Sequence, residues 1–263
     1  MATPGPDLLA LDFDGVICDG LKEYFQTSWL AYCKLWPDTD PVAPAGVAER
    51  FYQLRPVIET GWEMPLLLRA ILEKIESERI FAEWPTLSHQ LLAISGFSTQ
   101  QLTTTVDGMR DEWIERDLPG WLAVHRFYPG VIESLRRWEG DAQLRAVIIT
   151  TKASRFVLEL LGQAGLVWPA ADLFGKDIRQ PKSHTLAQLL AAGYRRIWFV
   201  EDRFATLRGV QQLPDLQTVG LFLAAWGYNT ASERQQAEND SRIRLLPLRA
   251  FGSADFGEWQ AVD

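Results

Sequence analysis

The chain has 263 residues, 47% of them hydrophobic and 23% charged, and a formal net charge of −8. That balance is the composition of a globular chain with a sizeable apolar core, and it argues against disorder. The negative charge, with no Lys/Arg-rich run interleaved with aromatics, argues against nucleic acid or an anionic membrane surface as partner.

No window approaches the about 18 apolar residues of a membrane span, and the opening MATPGPDLLALDF lacks the basic segment and long apolar run of a signal peptide. A cytoplasmic protein is expected. In that reducing compartment Cys18 and Cys33 are expected as small buried side chains rather than a disulfide.

In chain order, Leu8–Asp12 reads as a short buried strand that stops at Asp-Gly punctuation. From Leu21 to His125 no comparable run follows. Leu67, Ala70, Ile71 and Ile75, and then Leu102, Val106, Met109 and Trp113, fall at helical spacing. Turn-rich breaks are expected at residues 37–46, at Glu83-Trp84-Pro85, at Ser95-Gly96 and at Leu118-Pro119-Gly120. Beyond them the pattern predicts a helix over Gly130–Trp138, a strand over Arg145–Thr150 and helices over Ser154–Ala164 and Ser183–Ala192. A strand over Arg196–Val200, a helix over Phe204–Gln211 and a strand over Thr218–Leu223 follow, with a weaker edge strand around Ile243–Leu248.

This rhythm is that of an α/β protein with a doubly wound, Rossmann-like parallel sheet. The expected domains are an α/β core of residues 1–20 and 126–263 and an inserted all-helical cap of residues 21–125. The 11 tryptophans are expected as packing. His89, His125 and His184 lack metal-ligand spacing and are expected to be structural or exposed, His184 alone lying near enough to Lys182 to reach a site mouth.

In open α/β sheets the carboxyl ends of the strands meet in one crevice. The first strand delivers Asp12 and Asp14 there, the next Thr150, and the RIWFV strand Glu201 and Asp202, with Lys182 in the segment just before it. Carboxylates packed that closely raise one another's pKa values. A divalent cation is their natural neutraliser, and hard oxygen ligands suit Mg²⁺. Taken singly, each residue has an ordinary explanation: Asp-Gly forms turns, Thr favours strands, and Glu201 and Asp202 could cap the following helix.

Four segments in order resemble the motifs of the haloacid dehalogenase superfamily: LALDFDGV, VIITTK, the lysine of RQPKSHTL, and FVEDRFATL. The resemblance covers nearly all of the core and is greatest to members with a helical cap, such as phosphoglycolate phosphatase and β-phosphoglucomutase. It implies that Asp12 is a nucleophile forming an aspartyl-phosphate and that Asp14 is general acid and then base, with its pKa raised by burial. It implies Gly15, Thr150, Thr151 and Lys182 as phosphate contacts, with Gly15 leaving room for backbone N–H groups, and catalysis carried by Asp12, Asp14, Thr150 and Lys182. Mg²⁺ would be held by Asp12, the backbone carbonyl of Asp14, Glu201 and Asp202.

Two features depart from the common pattern. The Glu201-Asp202 pair stands in place of a second acid four residues on, where this chain has Thr206, and the lysine follows Pro181 instead of preceding a proline, with Lys176 an upstream alternative to Lys182.

The function implied is a Mg²⁺-dependent phosphatase of a small soluble phosphomonoester. A phosphomutase and a non-catalytic binding protein are the alternatives, and a metal-free dehalogenase is disfavoured by the full set of acids. In the cap, Lys22, Arg50, Arg55, Arg69 and Lys74 are candidate substrate contacts. Oligomeric state is not legible.

Overall fold

The computed structural model describes residues 5–253 and 255–259. In chain order it contains β1 (Leu8–Leu11), β2 (Cys18–Asp19), α1 (Leu21–Leu35), α2 (Val47–Leu54), α3 (Glu63–Leu72), α4 (Ser77–Ser95), α5 (Thr99–Ala123), β3 (Arg126–Phe127) and α6 (Val131–Glu139). It continues with β4 (Arg145–Ile149), α7 (Ser154–Gln163), β5 (Leu173–Phe174), α8 (Lys182–Ala191), β6 (Ile197–Glu201), α9 (Phe204–Gln211), β7 (Gly220–Ala224), α10 (Ala231–Glu238), β8 (Ile243–Leu246) and α11 (Leu248–Phe251). Two compact units result, one from Met1–Asp19 with Arg126–Asp263 and one from Gly20–His125. Among the described residues no helix is long and apolar enough to cross a membrane.

The first unit is built on a six-stranded parallel sheet in the order β5-β4-β1-β6-β7-β8. Its central strands are apolar on both faces, as strands covered by helices on both sides must be. Leu8, Ala10, Val147, Ile197, Phe199, Leu221 and Leu223 pack with Leu186, Leu189, Leu207 and Val210 of α8 and α9. The alternate residues Trp198 and Phe222 meet Trp259, which also packs on Trp138 of α6 and Phe251 of α11. The predicted strands and helices are all present, with ends shifted by one or two residues. The two-residue β5, and the pair β2 and β3 that join antiparallel as a separate ribbon, are too short to show a periodicity.

The second unit is helical throughout, around a core that includes Phe25, Trp29, Phe51, Leu54, Leu67, Trp84, Leu87 and Leu102. The break expected at Glu83-Trp84-Pro85 is a correction: Pro85 lies inside α4. Proline cannot donate to the carbonyl one turn earlier, at a cost of about 3 kcal/mol. Ile80, Trp84, Leu87 and Leu91 line the buried face of the helix, and each large apolar side chain returns about 1.5–3 kcal/mol on burial. Four such residues outweigh one proline. At Leu118-Pro119-Gly120 the break is a kink within α5, centred on Asp117 at φ −151° and ψ 68°. The turn at Ser95-Gly96 ends α4 on a left-handed Gly96.

Candidate active site

Strand register brings the chemistry together. Leu11 of β1 lies between Ile148 of β4 and Val200 of β6. The next residue, Asp12, is therefore flanked by the ends of both neighbouring strands, and its N–H continues the ladder to the Val200 carbonyl at 2.9 Å. Glu201 closes β6 and Asp202 follows it. Asp12, Glu201 and Asp202 are all buried, and ligand oxygens from the three lie within 4.8 Å of one another. Lys182, the first residue of α8, reaches into the group: its Nζ stands 2.8 Å from Asp12 Oδ1 and 2.7 Å from Glu201 Oε2.

Thr150, just past β4, is buried. Its hydroxyl oxygen accepts the N–H of Lys152 at 3.1 Å, which leaves its own O–H available to donate. The Lys152 ammonium donates to both oxygens of Asp14, at 2.9 and 3.2 Å. Thr151 is solvent-exposed, as is Lys176, whereas Lys182 is at the carboxylate group. His184 is exposed.

The Gly15 N–H donates to the Cys18 carbonyl at 2.8 Å. Gly15 makes space: at φ +84°, a Cβ there would stand 2.1 Å from Asp202 Oδ2. The carboxylate of Asp202 lies directly over the glycine.

The charge balance of this group is unusual. Burial pushes the Asp12 carboxyl up to about 7, reinforced by Glu201 and opposed by Lys182. Asp202 is pushed up to about 6, by burial first and by Asp12 second, with the Tyr228 N–H and Arg203 pulling the other way. Glu201 is likewise raised, mainly by burial. Burial works against the Lys182 ammonium, but Asp12 and Glu201 outweigh it and hold the amine protonated. Two of the three buried acids share one ammonium, and burial, with their mutual repulsion second to it, makes protonation easier than in water.

No model of a protein family matches this chain. No curated protein matches it either. Solved structures do. A predicted phosphatase from Clostridium acetobutylicum superposes with a TM-score of 0.57 at 11% identity, covering 95% of this chain and 97% of the other. A haloacid dehalogenase-like family hydrolase from Streptococcus pneumoniae gives 0.55 at 11% identity, over 90% and 92%. A predicted phosphoglycolate phosphatase from Haemophilus somnus gives 0.54 at 14% identity, over 85% and 87%.

The chain has the haloacid dehalogenase-like fold. Within it, the structure brings Asp12, Glu201, Asp202 and Lys182 into one contact group at the carboxyl ends of β1 and β6. Thr150 ends the neighbouring strand, and Asp14 is paired with Lys152. The role of Lys152 was not assigned from the sequence, although it closes the quoted VIITTK segment. Its signal is positional: it is the cation nearest a strand end that is itself beside the two aspartates.

In the helical unit, Arg50 is spent on the C-terminal carbonyl of α3 at Ile71 and on that of Ile75. Arg69 pairs with Glu73 and lies over the Trp36 ring. Arg55 is buried, donates to the Ile58 carbonyl at 3.1 Å and lies over the ring of Tyr24. Lys22 and Lys74 are exposed.

The residues present fit a divalent cation. They offer three hard carboxylates with overlapping reach, fully desolvated, and an unbalanced negative charge that a small dication would neutralise.

Proposed function

We propose that this protein is a Mg²⁺-dependent phosphatase that hydrolyses a small soluble phosphomonoester through an aspartyl-phosphate intermediate. The observation that carries the reading is the placement of Lys182 Nζ 2.8 Å from Asp12 within a group of three buried acids. A dianionic ester can approach a carboxylate only where cations offset the repulsion. The names of the proteins sharing the fold support the same activity.

In the first step an oxygen of Asp12 attacks phosphorus and the bond to the leaving alkoxide breaks, while Asp14 gives that oxygen its proton. In the second, water attacks the phosphoryl-aspartate, Asp14 takes the water's proton and the Asp12–phosphorus bond breaks, releasing inorganic phosphate. Lys182 orients Asp12, and together with the Thr150 hydroxyl it offers donors to phosphoryl oxygens. Lys152 holds Asp14 in place through both carboxylate oxygens. Asp12, Glu201 and Asp202 would hold the Mg²⁺, along with the Asp14 carbonyl, and the ion supplies charge neutralisation between nucleophile and substrate.

Phosphate release from a panel of phosphorylated metabolites, with Mg²⁺ and with chelator, tests this. Turnover is expected with Mg²⁺ alone and is expected to disappear in Asp12→Asn. Turnover that survives the substitution, or that ignores chelator, overturns the reading. Interconversion of sugar phosphates without net release would point to a phosphomutase.

A further inference from the structure

The loop after β7, Ala225 to Asn229, carries none of the acids or bases discussed above, yet it closes around Asp202. The Tyr228 N–H donates to Asp202 Oδ2 at 2.9 Å. The buried Asn229 amide donates to the Asp202 carbonyl at 3.0 Å and to that of Ala224 at 2.8 Å. At Gly227 the requirement is space: a Cβ would stand 2.3 Å from Asp202 Cβ and 2.6 Å from the Gly15 carbonyl oxygen. Asp202 is therefore wedged between the α-carbons of Gly15 and Gly227, with one carboxylate oxygen pinned by a backbone donor.

The same loop grips the ribbon of β2 and β3. Tyr228 Oη donates to Asp19 Oδ1 at 3.0 Å. Trp226 Nε1 donates to the Val16 carbonyl at 3.1 Å. Asp19 is the last residue of the α/β unit before the chain enters the helical unit, and Arg126 the first after it returns. One tyrosine thus holds Asp202 by its backbone and, through its hydroxyl, the segment by which the chain leaves the unit, which pairs with the segment by which it returns.

We propose that Gly227 and Tyr228 are positioning residues that set the Asp202 carboxylate for the metal and anchor it to the β2–β3 ribbon. This rests on the reading of Asp202 as a metal ligand. Outer-shell partners that orient a ligand typically change metal affinity by about 10–100-fold when altered. A methyl at 227 must displace Asp202 or Gly15. Removing the Tyr228 hydroxyl leaves the N–H in place but frees the loop from the ribbon.

Binding of Mn²⁺ to the metal-free full-length protein, followed by the paramagnetic signal of the unbound ion, tests this without turnover. Gly227→Ala is expected to bind at least about tenfold more weakly. Tyr228→Phe should bind about fivefold more weakly, the worth of one hydrogen bond. The Mg²⁺ concentration for half-maximal turnover should rise by the same factors. A Gly227→Ala protein that melts like the parent and binds Mn²⁺ as tightly overturns the proposal and leaves the phosphatase reading standing. If that variant does not fold, parent-like affinity in Tyr228→Phe overturns it. A parent protein that binds no Mn²⁺ removes Asp202 as a ligand and the proposal with it.

Discussion

Glu23 in the helical unit and Asp12 in the α/β unit are both buried carboxylates, and their surroundings differ in kind. Glu23 Oε1 receives the Thr27 hydroxyl at 2.8 Å and Arg110 Nε at 2.7 Å, across the packing of α1 on α5. Arg110 is held charged by that contact, which outweighs the cost of its own burial. One buried acid meets one base, with the half-exposed Asp107 3.2 Å from the other side of the guanidinium, so the buried charge is matched as the fold requires. Asp12 shares its lysine with Glu201 and lies close to Asp202 as well. Packing alone has no use for that surplus, so the contrast separates a charge that serves the fold from charges that, on the proposed function, the fold carries for chemistry.

The contrast is broken most sharply by neutralising each acid in turn. Asp12→Asn should cost at least about a thousandfold in kcat, since on the proposed mechanism it removes the nucleophile itself. In chelator at pH 8 the same variant should melt higher than the parent, because one of three repelling charges is gone. A lower melting temperature there would mean that Asp12 serves the fold as Glu23 does. Glu23→Gln should do the reverse: it leaves Arg110 with only the half-exposed Asp107 as a partner and should destabilise the protein by about 2–4 kcal/mol in denaturant unfolding. Its Mn²⁺ affinity should stay at the parental value.

Lys152 sharpens the comparison from within the site, because its ammonium bridges Asp14 as Arg110 bridges Glu23. If Lys152 holds Asp14 for proton transfer, Lys152→Met should lower kcat about tenfold for alkyl phosphates. It should do much less for an aryl phosphate, whose leaving group departs without a proton. Equal losses on both would make the pair structural.

Most of the α/β architecture is legible because buried parallel strands advertise themselves as short apolar runs. In this fold the residues that matter follow those runs directly, as Asp12 follows LLAL and Asp202 follows IWFVE. What is not legible depends on long-range geometry. Lys152 and Asp14 are 138 positions apart, and no periodicity relates them. The loop Ala225 to Asn229 reads as an ordinary turn until Asp202 is seen wedged against Gly227. Pro85 misleads because a local rule about helix interiors is overruled by the tertiary packing of Trp84, Leu87 and Leu91. The aromatic tail at Trp259 is invisible for the opposite reason: it carries no regular element, yet it covers Trp198 and Phe222 on one face of the sheet.

The smallest expected effect follows from the raised acids. Asp12 and Asp202 titrate at about 7 and about 6 in the folded protein, against 3.8 for both in the absence of burial. Between those limits the native state binds more protons than the unfolded chain, so stability falls as pH rises. The penalty is absent below about pH 4, grows through the range between, and is complete above about pH 7. In chelator the melting temperature should therefore decline by several degrees from pH 5 to pH 8, and Asp12→Asn should flatten that decline. Saturating Mg²⁺ should flatten it too, because a dication favours the ionised carboxylates and binds only where they are assembled. Glu23→Gln should lower the whole curve, since it removes the buried partner of Arg110. A slope that survives undiminished in Asp12→Asn would place the titrating groups elsewhere and erase the distinction between the two buried acids.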